Sequence, residues 1–191
     1  MEGELHLTLR QIVDVLEGIL ERPSRWNGQV SLVPSLTFAG AAHYSGSISI
    51  SELVYTDADL RWRTLIHEAL HTFSPRYTRY EYGNVRGWEE GVVEQMQRLV
   101  RPHVLSALGA AVNEERLFNA EAWHPYNIYI TFLEDLRLRL GDAPFSFYKM
   151  LLACPVVERS MILRQSGILL EGQLRDEYQI ALLKAVVALR R

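Results

Sequence analysis

The residues best suited to chemistry in this 191-residue chain are His67 and His71, with Glu68, in the stretch His67-Glu68-Ala69-Leu70-His71. Residues four apart on a helix share a face, one turn apart, so both imidazoles can reach one metal ion. Neutral imidazole suits Zn2+, and two histidines leave room for a third protein ligand and a water. Glu68 leans over the same edge, where a carboxylate can act as general base toward that water rather than as a ligand. Two histidines on a helix can also be ordinary packed or surface residues, so a third ligand has to be sought.

After His71 come eighteen residues and then Glu90, in Gly87-Trp88-Glu89-Glu90-Gly91-Val92-Val93-Glu94. Glu90 and Glu94 are four apart and share a helical face. One carboxylate can bind metal while the other accepts a hydrogen bond from a ligand histidine and fixes its tautomer. Glu89 is the rival ligand; Glu90 is preferred because it has a partner at i+4. The three glutamates could instead form a solvated face near a helix N-terminus, but Val92, Val93 and Met96 argue that part of this helix is buried.

The elements that must position these groups are read from periodicity. Thr8 to Glu21 reads as an amphipathic helix, with Thr8 and Gln11 in capping-box spacing and Arg22-Pro23 as its stop. Val30–Val33 and Ser47–Ser51 alternate as half-buried strands, with Gly40 and Gly46 marking turns. Asp57 or Asp59 can cap a helix running to about Phe73. A Tyr-, Arg- and Gly-rich loop then leads to a helix from about Trp88 to Val100, stopped by Arg101-Pro102. Further helices fit 103–112, 126–140 (closed by Gly141), 145–152, 156–165 and 173–190. The expected class is α+β: a small antiparallel or mixed N-terminal sheet packed on the active-site helix, then a mostly helical C-terminal half. No repeat or linker-like stretch divides the chain, so 1–191 is read as a single domain.

HExxH followed after eighteen residues by a glutamate in a Trp-x-x-Gly-like context resembles the gluzincin zinc metallopeptidases. The aminopeptidase N type carries W-x-N-E-G there, to which Trp88-Glu89-Glu90-Gly91 is similar but one residue shorter between the tryptophan and the glutamate. Thermolysin-like relatives carry an acidic residue four positions on, matched by Glu94. The resemblance implies a zincin-like fold with His67, His71 and Glu90 as zinc ligands, Glu68 as base and Glu94 behind a ligand histidine. It spans roughly residues 40–152. Pro125-Tyr126, opening a helix that Gly141 closes, is similar to the helix bearing the transition-state tyrosine of the aminopeptidase-like branch. Tyr126 would then donate a hydrogen bond to the oxyanion. Tyr129 and His124 are alternates, and Tyr77, Tyr80 and Tyr82 lie in the loop between the ligand helices. The resemblance also implies that substrate lies extended along the edge strand at Ser47–Ser51. One departure is that Gly40-Ala41-Ala42-His43-Tyr44, comparable to the strand that helps hold the substrate amine in aminopeptidases, has no carboxylate. That favours endopeptidase action.

The rest of the composition narrows the partners. With 20 Lys+Arg against 23 Asp+Glu, the net charge of −3 does not point to nucleic acid or an anionic membrane. No signal peptide is read at the start and no apolar run reaches the ~18 residues of a membrane span, so a cytoplasmic protein is expected. Cys154, the one cysteine, reads as a buried small hydrophobe. Arg159, Arg164, Arg175, Arg190 and Arg191 read as a solvated face, and the four tryptophans as core or half-buried packing. His6, His43 and His103 lack ligand-like spacing. The expected function is a zinc-dependent peptidase acting on a peptide or protein. The alternatives are an inactive zincin-fold binding module and a zinc hydrolase of a non-peptide bond.

Overall fold

Leu5, Leu9, Ile12, Val13, Leu16 and Leu20 recur at helical spacing, and all six are buried along one stripe of α1 (Glu2–Leu20). The computed structural model describes residues 2–34, 37–156 and 158–159. α1 begins well before Thr8, so that residue lies inside the helix rather than at its cap. The helix ends short of Arg22-Pro23, where Glu21 turns the chain with φ 55°.

The sheet has three strands, β1 (Val30–Val33), β2 (Gly40–Ala42) and β3 (Ile48–Ser51), in the order β1-β3-β2. β1 runs parallel to β3 with Val30 opposite Ile48, and β2 runs antiparallel with Gly40 opposite Ile50. The mixed sheet agrees with expectation, but two details are corrected. β3 is the central strand, with Ile48 and Ile50 in the core, so Ser47–Ser51 is not an edge. Gly40 opens a strand instead of marking a turn, and the open edge beside the candidate site belongs to β2. Gly46 does mark a turn: at φ 89° it passes so close to the Arg25 carbonyl that a Cβ has no room.

The helices follow as α2 (Glu52–Thr56), α3 (Leu60–His71), α4 (Arg79–Leu108), α5 (Glu114–Ala122), α6 (Asn127–Leu140) and α7 (Pro144–Ala153). α3 starts where the Asp57 carboxylate accepts from the backbone N–H groups of Asp59 (3.0 Å) and Leu60 (2.9 Å). Its Leu65, Ile66, Ala69 and Leu70 enter the same core as α1 and the buried residues of α4, Val92, Val93 and Met96.

α4 is the largest departure from expectation. The segment read as a loop is its first turns, and its 30 residues run through Pro102 without a break. A capping box starts it: Thr78 Oγ1 accepts from the Glu81 N–H, and the Glu81 carboxylate accepts from the Thr78 N–H at 2.6 Å. Pro102 has no N–H to give the carbonyl four residues back, a loss that burial of Val100 and Val104 on either side outweighs. The helix stops at Gly109, φ 61°. α5, capped by Asn113, was not expected, whereas α6 with its Gly141 stop and α7 lie where periodicity places them. The helix expected over 173–190, and most of that over 156–165, lie outside the described residues. Among the described residues no helix is long and apolar enough to cross a membrane.

Candidate metal centre

Two rows of side chains, each stepping by four, face one another across the α3–α4 contact. α3 presents Arg63, His67 and His71, and α4 presents Tyr82, Arg86, Glu90 and Glu94. His67 Nε2 lies 3.1 Å from Glu90 Oε2, and His71 Nε2 lies 3.5 Å from the same oxygen. One donor atom from each of the three residues falls within 4.8 Å of the others. Tetrahedral ligands with bonds near 2.0–2.1 Å stand about 3.4 Å from one another. The donor set of two imidazole nitrogens and one carboxylate oxygen therefore fits a single zinc-sized ion in both chemistry and spacing.

The far side of each imidazole is equally organised. His67 Nδ1 lies 3.1 Å from Glu94 Oε2, and His71 Nδ1 lies 3.0 Å from Glu89 Oε1. A ring proton on each Nδ1 satisfies these bonds, and the proton that each ring holds on Nε2 toward Glu90 without an ion is the one a bound metal would displace. Glu89, the rival ligand of the sequence reading, thus takes the position behind His71 that Glu94 takes behind His67. Burial opposes charge on His67, but the hydrogen bonds of Glu90 and Glu94 overcome it and hold the ring up at about 9. His71 is likewise raised, against its burial, by the charges of Glu90 and Glu89. Burial would also raise Glu94; the His67 bond and the Arg63 charge hold it far below the carboxylate range instead. Arg63 Nη2 donates to Glu94 Oε1 at 2.9 Å and Arg98 Nε to the same oxygen at 3.3 Å.

Glu68 sits beside this cluster and belongs to neither row. It is buried, and burial raises its pKa, with the two histidines working against that rise. Its carboxylate accepts from the Ala42 backbone N–H of β2. Ala39 O and the His43 N–H pair with β3, so Gly40 and Ala42 turn their backbone groups to the open edge. That edge, the two histidines, Glu68 and Glu90 line one cleft of about 670 Å³.

Tyr126 and His124 line the same cleft, at the N-terminal end of α6. The Tyr126 hydroxyl is hydrogen-bonded to Arg86, and burial together with the Glu90 charge raises its pKa, so it stays a donor. His124 is pushed down to about 4, chiefly by burial, and its Nδ1 has no hydrogen-bond partner among the described residues. Tyr129 is elsewhere: it is buried against Gly87 and Gly91 of α4, where a Cβ on Gly87 would fall inside its ring. As an alternate to Tyr126 it is therefore corrected to a packing residue. Tyr80 is exposed, and Tyr77 stacks on Tyr82 with ring centroids 5.4 Å apart.

Tyr82 is a site residue that the sequence reading left without a role. Its hydroxyl donates to Glu90 Oε1, the oxygen turned away from His67. The Thr78-x-x-Glu81 signature could have exposed it, since a helix begun there puts residues 82, 86, 90 and 94 in one row.

Other expectations change with burial. Arg159 is fully buried and paired with Glu89 rather than solvated. Its four companions in the expected basic face lie outside the described residues. Trp123 is 91% exposed, unlike Trp88, which is core. Cys154 is half-buried rather than buried. His43 bonds Ser49 Oγ at 2.8 Å across the β2–β3 pair and stays outside the metal cluster.

No family model matches this chain, and no curated protein or solved structure is significantly similar to it.

Proposed function

We propose that this protein is a zinc-dependent peptidase with a gluzincin-type centre on a zincin-like fold. The observation that carries the reading is the convergence of His67 Nε2 and His71 Nε2 on Glu90 Oε2, at 3.1 and 3.5 Å, with a separate carboxylate behind each ring. His67, His71 and Glu90 would hold the ion. Zinc bound there supplies a Lewis acid that brings the pKa of water toward ~7 and polarises a carbonyl.

The remaining work falls to the chain's own groups. Glu68, raised by burial and within the cleft, takes the proton of the attacking water and delivers it to the leaving amine. One water is consumed and one carboxylic acid and one amine are formed. Tyr126, un-ionised, donates to the oxyanion that develops on the scissile carbonyl. With the Ala42 N–H engaged by Glu68, the backbone groups of Gly40 and the Ala42 carbonyl face outward, and an extended peptide adds there as a strand. This moves the expected substrate strand from Ser47–Ser51 to β2. Residues 40–44 carry no carboxylate to hold a free α-amine, which supports endopeptidase action.

Two measurements test the proposal together. Elemental mass spectrometry of tag-free protein is expected to give about one zinc per chain, and almost none for His67→Ala. Cleavage of an unstructured protein is expected from the wild-type chain and not from Glu68→Gln, which should keep its zinc. Zinc refused on titration by the wild-type chain, or cleavage unchanged in Glu68→Gln, would overturn the reading.

A further inference from the structure

We infer that Arg159 is a positioning residue of the metal centre, acting through Glu89 on His71. The inference rests on the metal-site reading above. It reaches beyond the segment 40–152 that carries the gluzincin resemblance, and it makes residues C-terminal to α7 part of the site.

The geometry is that of a fork bolted at several points. Arg159 Nη1 donates to Glu89 Oε2. Nη2 donates to Ser74 Oγ at 3.1 Å and to the Leu152 carbonyl at 3.2 Å, and Nε donates to the Cys154 carbonyl at 3.2 Å. Ser74 Oγ in turn donates to Glu89 Oε1 at 2.7 Å, the oxygen that faces His71 Nδ1 at 3.0 Å. Arg159, Ser74 and Glu89 are all fully buried. Glu89 therefore has one oxygen committed to the guanidinium and the other shared between Ser74 and His71.

A buried carboxylate behind a histidine orients that ring only while the carboxylate is itself held. Glu94 is held behind His67 by Arg63 and Arg98 from α3 and α4, the helices that also bear the ligands. Glu89 is held instead by an arginine seventy residues away, fastened to the C-terminal end of α7. The two ligand histidines thus have anchors of different origin. Losing the Arg159 fork frees the Glu89 carboxylate to turn away from His71, and the ring loses its preset angle. The planar five-donor guanidinium suits this position; a lysine ammonium preserves charge but not the fork.

The test measures metal affinity and ligand field, not turnover. Zinc affinity is determined by competition with a chromophoric chelator, and the visible absorption of the Co2+-loaded protein reports the ligand geometry. The variants are Arg159→Met, Arg159→Lys, Glu89→Gln and the Glu89→Gln/Arg159→Met pair, each checked for folding by circular dichroism in metal-free buffer. Arg159→Met is expected to weaken zinc about 10- to 100-fold and shift the Co2+ bands. Arg159→Lys is expected to fall between Arg159→Met and wild type. In the Glu89→Gln background, Arg159→Met should add less than about twofold, because the route it acts through is already cut. Unchanged zinc affinity and Co2+ bands in folded Arg159→Met, or effects that simply multiply in the pair, would overturn the inference. If Arg159→Met strands Glu89 and does not fold, Arg159→Lys decides, and wild-type affinity in that variant would overturn it. A wild-type chain that binds neither metal overturns the metal-site reading and this inference together. A wild-type chain that binds zinc with Arg159 indifferent overturns this inference alone.

Discussion

Gly40 of β2 and Glu68 of α3 pack so closely that a Cβ on the glycine would lie 2.6 Å from Glu68 Cγ and 2.9 Å from its Oε1. The absence of a side chain at residue 40 is what lets the Glu68 carboxylate lie against the strand and reach the Ala42 N–H. Gly40→Ala should displace that carboxylate while leaving the three metal donors in place. Peptide hydrolysis is expected to fall on the order of 10- to 100-fold with zinc content unchanged. A variant with wild-type kcat would show that Glu68 does not depend on this contact.

The two tyrosines of the cleft should separate by what they change. The Tyr126 hydroxyl is hydrogen-bonded to Arg86 rather than to a metal donor, so Tyr126→Phe is expected to lower kcat about 10²- to 10³-fold with KM and zinc content little changed. Tyr82 donates to Glu90 itself, so Tyr82→Phe is expected to weaken zinc about tenfold or more. Steady-state kinetics beside chelator competition distinguish the two; the reverse pattern would exchange their roles.

Gly87 and Tyr129 make a purely structural test. An added methyl at residue 87 meets the buried Tyr129 ring with no room to yield, because Trp88 packs edge-on against the same ring at 5.0 Å. Gly87→Ala is expected to destabilise the fold by about 1–3 kcal/mol, read from urea unfolding. The gain in helix propensity from Gly to Ala, at most about 1 kcal/mol, opposes this and does not cancel it.

Acid should weaken the entrance to α3. The hydrogen bond from Arg116 is the largest cause holding the Asp57 carboxyl down at about 2; burial opposes it, and the Leu60 and Asp59 N–H groups add to the lowering. A depressed carboxylate contributes stability above its unfolded pKa near 3.9 and loses it as pH falls through the folded value. Asp57→Asn is therefore expected to be less stable than wild type at pH 6 by about 1 kcal/mol, the usual worth of such a contact at a helix start. The gap should close between about pH 4 and pH 2. Thermal unfolding at several pH values measures it, and a gap that stays constant to pH 2 would remove Asp57 from this role.

Much of the centre was legible because its spacing is local. His67 and His71 share one helical face by arithmetic, and Glu90 with Glu94 repeat the pattern, so a four-residue step carried the reading. The strands at 30–33 and 47–51 were legible from alternation, but their order was not. Alternation says which face is buried and is silent on which strand lies between two others. Glycines at 83 and 87 masked the first turns of α4, although the Thr78 capping box announced them; Gly87 is there for Tyr129, a partner forty-two residues away. Arg159 was read as solvated because a lone arginine near helix ends carries no sign of a buried carboxylate seventy residues upstream. Such a pairing exists only in the folded chain.

The distances along the chain between site partners set an order in which the centre can come together. His67 and Glu90 are separated by 23 residues and His67 and Glu94 by 27, so α3 and the first half of α4 can close on each other as a short hairpin of helices. The Glu89–Arg159 pair spans 70 residues and waits for α5, α6 and α7. Loop-closure entropy makes the shorter contacts form first. During synthesis, then, the surroundings described for His67 can be in place while those of His71 still wait for Arg159, the last-made of the described site residues.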